Sequence, residues 1–428
     1  MHLLHRGAVY FRILCIAGLL CSPVSTQVFG QDAHLQYLTH LYETGDNDIQ
    51  ELLLDEFENF LQWYPDGEYA GRAIHMVGNI YNNQGNESLA VTNWIKSALV
   101  YSSTVTGQRA LEDARTLIIK NRHFNDSRQA YLELLSADAP AGNLETRWYQ
   151  FLLAIEKVND SDAYQWFIAD SREFIQRYPQ FLQNDHVLLN IAQAYDRNKQ
   201  DKQAVYSYYK MEVLYPQSQF VPYARLRRGK LYYEELNNRD IALLTLDGLI
   251  GDYPGDQYAP EAQYLTGELK EKKYDDPLGA IERYMQMHRA YPNSPLTVDA
   301  LFRAANLAED KLKDYTQSIE IYQLIADVYT TQPEADKALA MAADVYEDRL
   351  KDYNNAIGLR LRMMQLFPDS PRTVDNIMAA GDLAENRLKD YRRAIEIYQI
   401  VTKNYGLSNK AKDAVKRIES LEKKLSEQ

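Results

Sequence analysis

The stretch "YPQSQFVPYARLRRGKLYYEELNNRDIALL", residues 215–244, contains the features that decide the fold. It begins with an aromatic residue and a proline, then passes through a polar gap into a helical segment centred on Gly229. A second small residue, Ala242, follows a short polar turn. Residues 64–90, "YPDGEYAGRAIHMVGNIYNNQGNESLA", show the same order of features. We therefore interpret the two stretches as copies of one repeating unit.

The unit recurs with a period of about 38 residues, a spacing typical of solenoids. Glycine (19) and proline (14) are scarce among the 428 residues, which favours long helices and few loops. We predict an all-α fold, an α-solenoid of stacked helix-turn-helix repeats. The positions that begin successive units are Tyr64, Tyr101, Ala139, Tyr178, Tyr215, Tyr253, Tyr291, Tyr329, Phe367 and Tyr405.

Several other columns repeat in the same phase, and each has a packing role. Two columns of small residues let paired helices approach closely, and a bulky ring four residues after the second column fills the space beside it. Proline after the aromatic residue ends the second helix. The columns are Gly78, Ala192, Gly229, Gly267, Ala305, Ala343 and Gly381; Ala90, Ala204, Ala242, Ala280, Ser318, Ala356 and Ala394; and the rings Trp94, Tyr208, Tyr284, Tyr322 and Tyr398, with Leu246 and Arg360 as exceptions.

This pattern resembles the tetratricopeptide repeat, a helix-turn-helix unit of about 34 residues. The resemblance covers nearly the whole chain after its N-terminal segment. The chain departs from the family in length, because the small columns are 13 residues apart from Gly229 onward and 12 apart before it. In style, "YPNSPLTVDALFRAANLAED" (residues 291–310) resembles exported bacterial members of the family. Examples are the periplasmic coordinator of the Tol–Pal system and the helical lipoprotein of the outer-membrane β-barrel assembly machine, both binding scaffolds.

Residues 1–30 are interpreted as a signal peptide. Arg6 and Arg12 supply positive charge, and "ILCIAGLLC" (residues 13–21) is an apolar run too short to span a bilayer. The sequence "VFG" predicts cleavage before Gln31 and a periplasmic protein without an inserted anchor. A lipid anchor on Cys21 is a less favoured alternative, since Leu20 is large for that motif. Cys15 and Cys21 both lie in this segment, so the mature chain would contain no cysteine.

The rest of the chain is expected to form one continuous solenoid. Residues 31–405 would contain the repeats, with an irregular stretch at residues 101–140 where the small column falls out of phase. That stretch is the expected bend or weak joint. Residues 406–428, rich in lysine, are interpreted as a capping helix that keeps the open end soluble.

The sequence contains no recognisable catalytic constellation. No phosphate-binding glycine loop and no G-x-S-x-G motif is present, and the eight histidines are scattered. We expect no enzyme activity, no cofactor and no metal site. The net charge of −13 argues against nucleic acid as a partner.

The resemblance implies a concave surface formed by the first helix of each unit. The positions three before, one after and four after the first small column would face it. The first of these columns is mostly apolar, and the third contains four consecutive glutamates, here called the acidic column: Glu271, Glu309, Glu347 and Glu385. The other positions are Leu226, Lys230, Tyr233, Tyr264, Glu268, Phe302, Asn306, Ala340, Asp344, Met378 and Asp382.

Two interpretations of the acidic column remain open. As one wall of a peptide groove it would bind a protein partner through a basic, partly apolar segment. Alternatively, its glutamates support their own helices through i, i+4 pairs with lysine, each contributing about 0.3–0.5 kcal/mol. The lysines in question are Lys313, Lys351 and Lys389.

The expected function is that of a non-enzymatic periplasmic scaffold for cell-envelope and outer-membrane biogenesis, with peripheral envelope association possible. The alternative is an accessory subunit of an envelope enzyme or export machine, in polysaccharide secretion or peptidoglycan remodelling.

Overall fold

A computed structural model describes residues 30–45, 47–101, 105–136, 140–158, 160 and 162–427. Within these ranges all regular structure is helical, and no strand occurs. Residues 1–29, which contain Cys21 and nearly all of the predicted signal peptide, lie outside the described residues, as does Ala139. The chain divides into two compact units, with the boundary between Phe220 and Val221. The expectation of one continuous solenoid therefore stays a prediction, and each unit is described separately.

The first unit contains ten α-helices among its described residues. Short 3-10 turns at Arg122–Phe124 and Glu156–Val158 accompany them. The helices are α1 (Gln31–Thr44), α2 (Asn47–Trp63), α3 (Gly67–Asn83), α4 (Glu87–Val100), α5 (Val105–Lys120), α6 (Arg128–Ser136), α7 (Leu144–Ile155), α8 (Tyr164–Arg177), α9 (Asn184–Arg197) and α10 (Asp201–Leu214).

The second unit contains five helix pairs and a final helix among its described residues. The pairs are α11 (Val221–Glu234) with α12 (Arg239–Asp252), α13 (Ala259–Lys272) with α14 (Pro277–Ala290), α15 (Thr297–Leu307) with α16 (Tyr315–Val328), α17 (Ala335–Val345) with α18 (Tyr353–Leu366), and α19 (Pro371–Asn386) with α20 (Tyr391–Asn404). The final helix is α21 (Asn409–Ser426), and each helix packs against the next. The predicted α-solenoid of stacked helix pairs is confirmed.

The small columns mark the closest approaches within a pair. A Cβ atom built on Gly267 would lie 2.4 Å from Cε1 of Tyr284, and one on Gly381 would lie 2.3 Å from Cε1 of Tyr398. Both rings are fully buried. The ring of the second helix thus fills the space that the small residue leaves on the first helix. The sequence pattern predicts only that the ring lies beside the second small column.

The connection inside each pair uses a left-handed residue followed by a helix cap. Lys313 has φ 57° and Lys351 has φ 55°, and both end the first helix of their pair. Asp314 then begins α16 by accepting a hydrogen bond from the N–H of Gln317 at 3.0 Å. Residues with positive φ recur every 38 positions, at Lys199, Asn237, Asp275, Lys313, Lys351 and Lys389.

From Gly229 onward the two small columns are 13 residues apart instead of 12, and the additional residue of these longer units lies in the connection within each pair. In the shorter unit, the N–H of Gln200 bonds to the carbonyl of Tyr195, five residues back. In the longer units the equivalent bond reaches six residues back, from Asp314 to Ala308 and from Asp352 to Tyr346. The last turn of the first helix widens to a π-helical turn at Ala308–Leu312 and Tyr346–Leu350.

We expect Lys351→Gly to stabilise the second unit by about 0.5–1 kcal/mol. A left-handed conformation costs a residue with a Cβ roughly 1–2 kcal/mol, and the greater freedom of glycine in the unfolded chain offsets part of this gain. Chemical denaturation measures the change. Lys416→Gly, in the exposed middle of α21, is the control and should destabilise by about 1 kcal/mol. Equal losses for both variants would contradict the prediction.

The first unit is built around α4, whose residues are buried on all sides. Lys96 of α4 forms a buried ion pair with Asp170 of α8. Its Nζ lies 3.9 Å from the ring centroid of Trp148, and the Nε1 of Trp148 donates to Asp170 at 2.6 Å. Burial raises the pKa of Asp170, against the lowering effect of Lys96. Because α4 packs directly on α7, the out-of-phase residues of α5 and α6 do not separate these helices.

Candidate protein-binding surface

An arginine of the next unit holds Glu271, the first glutamate of the acidic column, together with Glu268. Arg303 of α15 places its guanidinium 3.0 Å from Oε2 of Glu271 and 3.1 Å from Oε1 of Glu268. The hydroxyl of Tyr284 donates to the same Oε2 of Glu271 at 2.6 Å, and burial and this bond raise the pKa of Tyr284. Glu268 also pairs with Lys272 at 2.6 Å. Glu268 and Glu271 therefore belong to one network that connects three helices.

The next position repeats this arrangement with a different arginine. Nε of Arg349 donates to Oε1 of Glu309 at 2.9 Å. Asn306, which is exposed, accepts a hydrogen bond from the hydroxyl of Tyr322 at 2.6 Å. Burial raises the pKa of Tyr322, which therefore remains a neutral donor.

At the third position the arginine comes from the ring column itself. Arg360 is 8% exposed and stands where most units have a ring. Its Nη2 lies 2.5 Å from Asp344 and 2.8 Å from Glu347, and its Nη1 donates to Asn376 at 2.8 Å. A buried arginine requires such partners, because an unpaired buried charge is costly.

The fourth glutamate is not on an open surface. Glu385 is 7% exposed and lies 3.2 Å from Arg417 and 3.8 Å from Lys424 of the final helix. The hydroxyl of Tyr398 donates to Asp382 at 2.6 Å, and its oxygen lies 3.2 Å from Oε2 of Glu385. The expectation that Glu385 lines a groove is thus wrong, because α21 covers it.

The apolar column divides into core and surface positions. Leu226 belongs to the core, as does Phe302, which is 8% exposed. The prediction that these two residues line the groove is therefore wrong. Phe302 packs on Tyr322 with ring centroids 6.0 Å apart. Tyr264, Ala340 and Met378 are partly exposed, and their place in a binding groove stays a prediction.

The two remaining positions lie on α11. Lys230 pairs with Glu261 of α13 at 2.7 Å, and Tyr233 is partly buried with Lys273 5.6 Å from its ring centroid. Both side chains therefore contact the neighbouring pair.

The interpretation that the glutamates of the acidic column pair with lysines four residues later is wrong. Among the described residues, the cations that pair with Glu309, Glu347 and Glu385 come from Arg349, Arg360, Arg417 and Lys424. The reason is the backbone, because Lys313, Lys351 and Lys389 are in the left-handed conformation beyond the regular helix. The i, i+4 geometry holds only within a continuous helix.

The arginines were the residues that sequence reasoning missed. The one available signal was Arg360, an exception in the ring column. Arg303, Arg349 and Arg417 occupy no common column, so spacing alone could not assign them.

The surface nevertheless retains an excess of negative charge. Around Arg303, Arg349 and Arg360, the carboxylates outnumber the cations that pair with them. The three clusters of carboxylates and their paired cations are Glu268, Glu271 and Asp299 with Lys272 and Arg303; Glu309 and Asp310 with Arg349; and Asp344 and Glu347 with Arg360. Asp310 and Asp344 are more than half exposed.

The fold and this surface define the class of protein, a helical-repeat protein with a polar and aromatic face on its first helices. A tetratricopeptide repeat model matches residues 223–256 and 299–330. The match supports the tetratricopeptide repeat family, whose members generally bind proteins and are not catalytic. No curated protein sequence matches the chain.

Solved structures with similar helical repeats share low sequence identity with the chain. A tetratricopeptide repeat protein from Parabacteroides merdae ATCC 43184 is 17% identical, covering 64% of this chain and 99% of its own, with a TM-score of 0.34. PilW, a type IV pilus biogenesis factor, is 15% identical, covering 56% and 98%, with a TM-score of 0.28. The apo form of RapI is 12% identical, covering 87% and 98%, with a TM-score of 0.38. The helix pairing described above, and not these superpositions, identifies the architecture.

Among the described helices, none is both long enough and apolar enough to cross a bilayer.

Proposed function

We propose that the protein is a non-enzymatic protein-binding scaffold of the cell envelope, active in the periplasm during outer-membrane biogenesis. The observation that carries this proposal is the series of partly exposed side chains on the first helices of the second unit. Tyr264, Ala340 and Met378 occupy the same position in three of the repeats, three residues before the first small column, and each is partly exposed. A repeated surface of this kind suits an extended or helical peptide, which presents side chains at regular intervals.

The charge of the surface favours a basic partner. Fixed arginines neutralise most of the acidic column, so the charge that remains available comes from exposed carboxylates such as Asp310 and Asp348. Exposed charges mainly accelerate association, whereas buried aromatic and apolar contacts supply most of the affinity. Tyr264 and Met378 would therefore act as the anchors for apolar side chains of the partner.

The Asp310→Asn/Asp348→Asn variant should bind the partner with a lower association rate and a flatter dependence on salt. Removing two negative charges weakens the local potential, and salt already screens that potential beyond about 8–10 Å. Binding kinetics at two salt concentrations would be measured with a partner captured by cross-linking in isolated envelopes and then purified.

A charge-matched control is available on the second helices. Glu282→Gln/Glu320→Gln removes the same number of charges from exposed positions of α14 and α16. It should leave the association rate unchanged. Equal effects of both variants would show that only net charge matters, and would contradict binding at the first-helix surface.

The periplasmic location rests on the N-terminal sequence. We expect the mature protein to begin at Gln31 and to occur in the periplasmic fraction. N-terminal sequencing after cell fractionation tests this. An acylated Cys21, or a chain that retains Met1, would contradict it.

A further inference from the structure

Three metal-ligating side chains of the first unit converge outside the proposed binding surface. His123 lies in the 3-10 turn after α5, and Asp160 and Asp162 precede α8. One ligand atom of each residue lies within 4.8 Å of the others, and Nε2 of His123 is 3.3 Å from Oδ2 of Asp162. The 3.3 Å separation is close to that between neighbouring ligands of one metal ion, whose bonds are about 2.0–2.2 Å long.

Asp160 is oriented by buried hydroxyl groups. Ser88 Oγ and the Tyr131 hydroxyl both donate to its Oδ2 at 2.8 Å, and Ser88 and Tyr131 are buried. Its Oδ1 accepts one bond, from the N–H of Asp162 at 2.9 Å. Each carboxylate oxygen has two acceptor positions, so Oδ1 keeps one for a further ligand. Hydrogen bonds of this kind fix ligating carboxylates in metal sites.

His123 is positioned by its neighbours in the turn after α5. The side chain of Asn121 accepts a hydrogen bond from the N–H of His123 at 2.9 Å and begins the 3-10 turn. The adjacent ring of Phe124 is fully buried and meets the imidazole edge-on at 5.0 Å. Nε2 of His123 also lies 2.9 Å from Ser88 Oγ. The imidazole nitrogen therefore faces the same space as the two carboxylates.

The types of ligand select the cation. Ca²⁺ and Mg²⁺ prefer oxygen ligands throughout, whereas an imidazole nitrogen combined with carboxylates suits Zn²⁺. A divalent cation would also neutralise the two carboxylates. His123 and Asp162 are exposed, so water could complete the coordination.

We propose that His123, Asp160 and Asp162 form a Zn²⁺ site that joins the turn after α5 to the segment before α8. The site would tie the out-of-phase stretch to the regular repeats that follow it. This inference revises the sequence expectation of no metal and is independent of the proposed function.

Isothermal titration of the untagged protein, first stripped of metal with a chelator, tests the site with Zn²⁺ alone. We expect one Zn²⁺ per chain, and at least tenfold weaker binding in His123→Ala and in Asp162→Asn. These two residues are used because Asp160 also has structural hydrogen bonds. Millimolar Mg²⁺ or Ca²⁺ should not displace the Zn²⁺.

Two exposed residues of the same types serve as controls. Asp126→Asn and His40→Ala should keep the affinity of the unchanged protein. Hydrogen exchange should slow near residues 121–124 and 162–164 when Zn²⁺ is added, and not in His123→Ala. Absence of stoichiometric binding, or equal affinity in all four variants, would overturn the proposal.

Discussion

The Lys96→Met variant is expected to lose about 3–5 kcal/mol of unfolding free energy, the usual cost of leaving a buried charge without its partner. Asp170 is fully enclosed by α4, α7 and α8, and methionine offers it no hydrogen bond. Chemical denaturation of the first unit measures the loss. Lys410→Met, which removes an exposed pair with Asp375, is the matched control and should cost at most about 1 kcal/mol.

The loss in Lys96→Met should depend on pH. Burial already raises the pKa of Asp170, and removal of Lys96 raises it further. A carboxyl whose pKa is higher in the folded state contributes stability that is present below its unfolded pKa and is lost as pH rises through the folded value. The difference from the unchanged protein should therefore shrink as pH falls from about 7 toward about 4.

A second substitution distinguishes the buried charge from lost packing. Lys96→Met/Asp170→Asn should recover more than half of the stability, because asparagine carries no charge and still accepts from Trp148. A double variant as unstable as Lys96→Met alone would show that the ion pair is not the cause.

Gly267→Leu is expected to destabilise the second unit by about 1–3 kcal/mol or more, since it forces extra atoms into a packed interface. The first added carbon alone would lie 2.4 Å from the ring of Tyr284, which is buried and hydrogen-bonded to Glu271. Hydrogen exchange should show the damage in α13, α14 and their neighbours, because stability in a solenoid is a sum of local interfaces.

Two control variants distinguish overpacking at Gly267 from a general effect of replacing glycine by leucine in a helix. A Cβ added to Gly358, in the middle of α18, would meet no atom within 4 Å. Gly358→Leu should therefore stabilise the second unit by about 0.5–1 kcal/mol through helix propensity. Gly267→Ala should be milder than Gly267→Leu, because Ala305 occupies the same column opposite Tyr322. Equal losses for Gly267→Leu and Gly358→Leu would contradict close packing at Gly267.

The candidate surface could be predicted only in part. The position of Tyr264 followed from its place in the repeat, because helical period fixes which residues share a face. The burial of Phe302 and Glu385 could not be predicted this way. Burial depends on what the neighbouring helices contribute, and Glu385 is covered by a helix that lies outside the repeat.

The candidate metal cluster was invisible in the sequence for a similar reason. His123 and Asp162 are far apart along the chain, and the segment containing Asp162 matches no known metal-binding spacing. The two turns meet at α4, where Ser88 contacts both His123 and Asp160. Contacts between distant segments of this kind have no periodic signal.

The sequence by itself determined the helical unit, its 38-residue period and the turn within each pair. These features follow from local chemistry, since prolines and capping aspartates act on their own helices, and Gly267 and Gly381 contact the helix that follows them directly in the chain. Only the tertiary structure decided which cation pairs with which carboxylate. Arg303, Arg349 and Arg360 reach the acidic column from three different places in the repeat, and Arg417 reaches it from the final helix. A long side chain can span adjacent helices without any fixed spacing. Coulomb attraction acts on distance in space, and the chain order does not set that distance.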